Sequence, residues 1–215
     1  MGELIRLAER RQARRERAQQ RPASLRAEFL FDLVCPFTYL AAERVERAFD
    51  DVTWTPASAT ALRCGSLAGD EAALAALRAA AEERAAAVRL PLVWPENWPA
   101  EVPAAMRVAA HAAETGRGAA FVLAAGRLAF CGGFDLDDPE ILAEAAAAAG
   151  VVLDDTLLAA RDAGRDGAIE ATGRALLAAG ADRLPALRVG RALYWGELRV
   201  GEALAAARVA RVAQL

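Results

Sequence analysis

The 215-residue chain is expected to fold as an α/β protein, a central mixed sheet flanked by helices with an all-helical block inserted into it. Three observations predict this. A strand–helix–strand pattern runs over residues 27–56, and a strand–strand–helix pattern closes the chain from residue 185 onward. Between them the residues are rich in alanine and follow helical spacing. No internal repeat of fixed period interrupts the order.

Composition sets the outer limits. With 55% hydrophobic and 26% charged residues the chain can bury a substantial core, which argues against global disorder. A formal net charge of −3 argues against a nucleic-acid-binding protein. Every basic side chain is arginine, so Schiff-base and lysine-base chemistry is excluded. Three cysteines, Cys35, Cys64 and Cys131, show no metal-ligand spacing. Neither a charged-then-apolar leader nor an apolar run of about 18 residues is present. The expected compartment is a reducing cytoplasm, without a disulfide framework and without a membrane span.

Residues 1–26 stand apart as a basic arm. Eight arginines against three glutamates give them +5, which leaves −8 for the remainder. Leu4, Ile5, Leu7 and Ala8 form a short apolar face before the arm turns polar. Such an arm either packs on the acidic body or on a second copy, or docks on an acidic partner or membrane surface.

Ala27 to Leu33 alternates as a strand, Pro36 to Phe49 has helical spacing, and Val52 to Pro56 reads as a second strand. Helices are expected over 70–88, 103–114, 117–131, 139–149, 154–163 and 166–179. A proline- and tryptophan-rich loop, Leu90 to Pro99, follows the first of these. Asp137 and Asp138 precede Pro139 as an N-cap, and Gly150 and Gly180 serve as C-terminal stops. Pro185 to Gly190 and Arg191 to Trp195 are short apolar runs meeting at Gly190, which predicts a hairpin. A last helix is expected over 200–212.

The segment with the most chemistry is Phe31-Asp-Leu-Val-Cys-Pro-Phe-Thr-Tyr-Leu40. It places Cys35 where a strand gives way to a helix, with Pro36 in the first turn, a position that needs no N–H donor. Free N–H groups and the positive end of the helix dipole stabilise a thiolate there, so Cys35 is expected to be an accessible thiol of lowered pKa. The spacing is that of a C-x-x-C redox site with Thr38 in the second position. One helical turn brings Thr38 back to Cys35, so its hydroxyl is expected either to bond the thiolate or to bond backbone. His111, the single histidine, has no ligand-type residue at metal spacing, so no metal site is expected. Cys64 and Cys131 read as packing residues or as distant resolving thiols. Phe37, Trp94, Trp98 and Trp195 either line an apolar cleft suited to an aromatic ligand or pack in the core and its rim.

A β-α-β unit and a β-β-α unit separated by helices is the order of a thioredoxin fold with a helical insertion. Four pieces resemble the DsbA-like thioredoxin superfamily, in the branch of 2-hydroxychromene-2-carboxylate isomerases and kappa-class glutathione transferases. They are the Cys35 segment; Pro95-Glu-Asn-Trp-Pro with Ala105-Met-Arg107; Gly133 to Leu142; and Leu184-Pro-Ala-Leu with Tyr194-Trp-Gly-Glu-Leu-Arg199. The resemblance implies a discontinuous thioredoxin-like domain over 27–62 and 180–215, and a helical subdomain over 63–179. It implies that Cys35, supported by Thr38, handles the sulfur of a thiol, and that Pro36 and Phe37 flank it. Leu184 would offer its backbone to a bound cysteinyl group ahead of a cis Pro185. Asn97 would lie over the cleft, and Glu197 and Arg199 would face a glutathione-like ligand. Where the family carries an aspartate to hold the ligand's amino group, this chain has Leu198, which cannot make that charge-assisted contact. The expected partner is therefore glutathione, another low-molecular-weight thiol, or no small thiol at all. Three functions are expected from these residues: a single-cysteine oxidoreductase working through mixed disulfides, a thiol-dependent isomerase or transferase of an aromatic molecule, or a non-catalytic binding protein. The resemblance also implies a homodimer.

Overall fold

The computed structural model describes residues 26–62 and 70–212, with the backbone alone for 208–212. The basic arm, apart from Arg26, and Cys64 lie outside the described residues. The elements are β1 (Ala27–Phe31), α1 (Pro36–Ala48), β2 (Val52–Pro56), α2 (Glu71–Val88), α3 (Pro103–Glu114) and α4 (Gly118–Phe130). They continue as α5 (Pro139–Ala149), α6 (Leu153–Arg161), α7 (Asp166–Ala178), β3 (Ala186–Val189), β4 (Ala192–Trp195) and α8 (Glu197–Val212). Short 3-10 turns occupy Thr60–Leu62 and Ala163–Arg165.

The four strands form one mixed sheet in the order β2-β1-β3-β4, the thioredoxin-like arrangement. β1 and β2 run parallel with Phe29 opposite Trp54, and α1 makes the crossover that a parallel pair requires. β3 lies antiparallel to β1 with Leu30 opposite Ala186, and β4 returns antiparallel to β3. The hairpin turn passes through Gly190 at φ +59°, a conformation that costs glycine little.

Period-2 alternation sorts β1 between two apolar clusters. Phe29 and Phe31 face the larger one with Trp54, Leu40, Val45, Val108, Phe121 and Phe130. Leu30 faces the smaller one with Leu62, Leu176, Leu184 and Ala186. The larger cluster runs without a break from the sheet into α3, α4 and α5, so the helical block and the sheet share a core.

Two helix boundaries differ from expectation by more than one residue. The α6 helix ends at Arg161 because the Asp162 carboxylate accepts the Gly164 N–H (3.2 Å) and starts a separate 3-10 turn. The last helix begins at Glu197, three residues early. Gly196 turns the chain, its N–H donating to Pro185 O (2.9 Å) and its carbonyl accepting from Val200 (3.0 Å). The Trp-Gly-Glu-Leu-Arg turn is thus the entrance to α8.

α2 has little apolar anchorage; Ala81 and Ala85 are its buried residues. Polar and aromatic contacts hold it instead. The Arg78 guanidinium lies 5.4 Å from the Trp94 ring and 5.3 Å from the Trp98 ring, while the Trp94 indole donates to Glu82 (2.9 Å). Trp98 in turn donates to Val34 O (2.8 Å), which ties the proline-rich loop to the Cys35 turn.

Candidate active site

The end of β1 builds the site. After Phe31 the chain turns through Asp32, Leu33 and Val34, closed by the Cys35 N–H donating to Asp32 O (3.2 Å). Cys35 is the N-cap of α1 with an extended backbone, and Pro36 opens the helix. The cis Leu184–Pro185 peptide faces it from the start of β3, and the half-buried Cys35 thiol donates to Leu184 O at 3.5 Å. A second cis peptide, Trp98–Pro99, which the sequence reading did not anticipate, lies in the proline-rich loop.

A cleft of about 1380 Å³ opens over this pair. Its apolar walls include Phe37, Leu77, Trp98, Met106, Ile169 and Trp195. Its polar margin carries Asp32, Asn97, Glu101, Arg84, Arg183 and Arg199. Trp94 stands outside the lining, occupied with Arg78 and Glu82. Among the described residues no group of His, Cys, Asp and Glu is placed to hold a metal.

The acidity of Cys35 corrects the expectation of a lowered pKa. Burial pushes the thiol up to about 12. The Thr38 N–H pulls it down, the Asp32 charge pushes it further up, and the Phe37 N–H and Thr38 hydroxyl add smaller downward contributions. The helix N-terminus is present, but the loss of water outweighs it, because desolvation acts on the whole thiolate charge. Thr38 Oγ1 is buried, meets no neutral partner at full hydrogen-bond geometry, and lies where it favours the thiolate form of Cys35.

Asp32 was not singled out from sequence, although it sits three residues before Cys35. It is buried, its Oδ1 accepts the Val34 N–H (3.0 Å) and its Oδ2 accepts the Ala59 N–H (2.9 Å). Burial raises its pKa; the Ala59 and Val34 amides work against that rise, and the Glu101 charge adds to it. Nothing in the local pattern marks Glu101, which arrives from the loop before α3 and accepts from the Thr60 hydroxyl (2.6 Å).

Glu197 lines the cleft and is also part of an ion-pair cluster. Its carboxylate is buried and bound by Arg44 of α1 and Arg84 of α2, with Arg84 Nη2 donating to Oε1 at 3.1 Å. Arg84 was not identified either, since an arginine in an alanine-rich helix reads as a solvated residue. Arg199 projects from the first turn of α8 at the cleft margin, its guanidinium 5.0 Å from the Trp195 ring. Leu198 beside it is exposed. Asn97 sits at the lip, held by Asp135, which accepts its side-chain amide (2.8 Å) and its N–H (3.2 Å). Pro36, Phe37, Leu184 and the turn around Glu197 border the same cleft, whereas Cys131 and His111 do not.

Residues 27–207 match the family described as the DSBA-like thioredoxin domain. No curated protein matches the chain. Among solved structures, a 2-hydroxychromene-2-carboxylate isomerase is similar with a TM-score of 0.73 at 18% identity, covering 88% of this chain and 98% of that one. A probable DsbA oxidoreductase from Streptomyces coelicolor has a TM-score of 0.63 at 23% identity, covering 85% of this chain and 89% of that one. At these identities the likeness is one of fold.

Proposed function

Because the chain belongs to the family of DSBA-like thioredoxin domains, we propose that it binds a small thiol beside Cys35 and presents its sulfur to an aromatic molecule in the cleft. This is the isomerase or transferase type of chemistry. The observation that carries it is the Cys35 thiol lining a cleft of about 1380 Å³ and donating to Leu184 O ahead of the cis Pro185, with burial pushing that thiol up to about 12. A thiol pushed to about 12 is a poor nucleophile at neutral pH, since the thiolate is the reactive form. As an S–H group it is suited to donate to a neighbouring sulfur or oxygen. The volume exceeds the roughly 300–1,000 Å³ of an ordinary ligand pocket, which leaves room for a peptide-sized thiol and a second molecule.

Leu184 supplies backbone groups to the thiol's cysteinyl unit, Arg199 attracts a carboxylate, and Phe37, Trp98 and Trp195 provide flat apolar surface. Glutathione is the probe of choice, with other low-molecular-weight thiols as alternatives because of Leu198. The setting is a reducing compartment in which Cys35 stays a free thiol.

A second reading rests on Thr38. Its buried hydroxyl would stabilise a Cys35 thiolate once formed, and that thiolate would attack a small-molecule or protein disulfide, forming a mixed disulfide on Cys35 as the disulfide's other sulfur leaves as a thiolate. One experiment separates the two. Under the first reading Cys35→Ser, which keeps a donor, still binds glutathione and turns over an electrophilic aromatic substrate, while Cys35→Ala is impaired. Under the second, wild type treated with oxidised glutathione gains one glutathionyl mass on Cys35, and Cys35→Ser abolishes activity. Binding of a thiol without turnover in any variant would identify a binding protein and overturn both.

A further inference from the structure

We propose that Asp32 is the proton acceptor of the cleft, taking the S–H proton of the bound thiol and returning it when the product forms. The inference rests on the thiol-binding reading above and adds the group that makes the thiolate. In the step, the S–H bond of the ligand breaks, an O–H bond forms on an Asp32 carboxylate oxygen, and the electron pair stays on sulfur. The proton later passes to the product carbon or to solvent, restoring the carboxylate.

The position of Asp32 supports this. It is a buried carboxylate opening onto the same cleft as Cys35 and Leu184. Two backbone amides fix it, one on each oxygen, which leaves a lone pair on each oxygen for a proton. No other described residue of the lining is as well placed. Asp166 is bound by Arg107 and Asp182 by Arg183, which hold both carboxyls below their usual range. Glu170 is paired with Arg174 on the surface, and Glu83 and Glu101 are exposed. Histidine, lysine and tyrosine are absent from the described lining.

Charge balance strengthens the argument. A charged Asp32 opposes an anion at Cys35, so it would equally oppose a ligand thiolate formed by losing its proton to water. Transfer of the proton onto Asp32 moves the negative charge from oxygen to sulfur without adding a second one. The groups that face Asp32 set its readiness: burial and Glu101 favour the protonated acid, while the Ala59 and Val34 amides favour the carboxylate. A base of raised pKa is better matched to a thiol than an ordinary carboxylate.

The test compares wild type with Asp32→Asn and Glu101→Gln. Binding of glutathione is followed by calorimetry, and bound thiolate by its ultraviolet absorbance in difference spectra against S-methylglutathione. Wild type is expected to show thiolate absorbance on binding. Asp32→Asn is expected to lose it and to slow turnover about tenfold or more, with affinity changed less than about threefold. Glu101→Gln removes the charge that favours the acid, so the pH at which activity appears should fall. It serves in place of Asp32→Asn if that variant does not fold. Thiolate absorbance unchanged in Asp32→Asn, or a pH profile unchanged in Glu101→Gln, would overturn the inference while leaving thiol binding intact. Failure of every variant to bind glutathione or another small thiol would overturn the thiol-binding reading itself.

Discussion

Glu197, at the entrance of α8, binds Arg84 of α2 across the cleft, and the same carboxylate also receives Arg44 of α1. One buried acid therefore joins the lightly packed helix that walls the cleft to the thioredoxin-like body. Both guanidiniums remain about a quarter exposed, at 24% and 26%, whereas the Glu197 side chain is 2% exposed. Removing one partner of a fully buried pair costs about 3–5 kcal/mol, and partial access of water to the arginines lowers that figure. Glu197→Ala is expected to cost about 2 kcal/mol in denaturant titration. A double-mutant cycle with Arg84→Ala should give a coupling of at least about 1 kcal/mol. Additive losses would show that the pair does not anchor α2.

Gly173, in the middle of α7, is held by a close approach rather than by its backbone. A Cβ there would stand 2.6 Å from Ser58 O and 2.8 Å from Ala61 Cβ. Alanine would gain about 1 kcal/mol of helix propensity, and overpacking against a backbone oxygen costs about 1–3 kcal/mol. Gly173→Ala should therefore lower the unfolding midpoint, and a raised midpoint would show that the Ser58 turn yields.

Arg107 and Asp166 form a two-armed ion pair, at 2.7 and 2.6 Å, that holds the Asp166 carboxyl below its ordinary 3.8. A lowered carboxylate contributes stability that is present above the ordinary value and is lost as pH falls through the lowered one. With Asp166 partly exposed, Asp166→Asn should cost about 1 kcal/mol at pH 7 and nothing in strong acid. Equal losses at both ends of a pH series would point to lost packing instead.

Cys35 should react slowly with iodoacetamide at neutral pH, with a rate that climbs toward a midpoint of about 12. Exposed Cys131 provides the internal comparison by mass spectrometry of peptides. A raised thiol binds its proton more tightly in the folded state than in the unfolded one. The stability it contributes is complete below the ordinary 9.0 and is lost as pH rises from there to about 12. Half-maximal labelling near neutral pH would return Cys35 to the role of a resting thiolate.

Leu198 is exposed at the cleft margin, one residue before Arg199. Leu198→Asp places a carboxylate where a ligand ammonium group would meet it, and a charge-assisted contact contributes about 1.5–3 kcal/mol. Glutathione should bind about tenfold more tightly to the variant in calorimetry. No gain would mean that the amino group of the ligand lies elsewhere.

Much of this architecture is visible in one dimension. The alternation of Phe29, Leu30 and Phe31 places successive residues in two different clusters, and Pro36 and Gly190 mark the helix entrance and the hairpin where they are observed. The resemblance in the Leu184-Pro segment pointed to the cis peptide that faces Cys35. Asp32 carries no mark in the sequence because an acid in a turn usually faces water, and here the Ala59 turn after β2 and the Glu101 loop lie against it. The pairing of Glu197 with Arg44 and Arg84 is not legible in the sequence, because those arginines belong to helices whose approach no local pattern reports.

Periodicity and turn chemistry act over a few residues, and they suffice to specify the α/β order, the strand faces and a sulfur at the mouth of α1. The protonation of that sulfur and the partner of each carboxylate depend on solvent exclusion and on groups 149 and 113 positions away along the chain. Those groups meet once β3 has paired with β1 and α2 has folded over the cleft, and the local desolvation that results is what turns an expected thiolate into a neutral thiol.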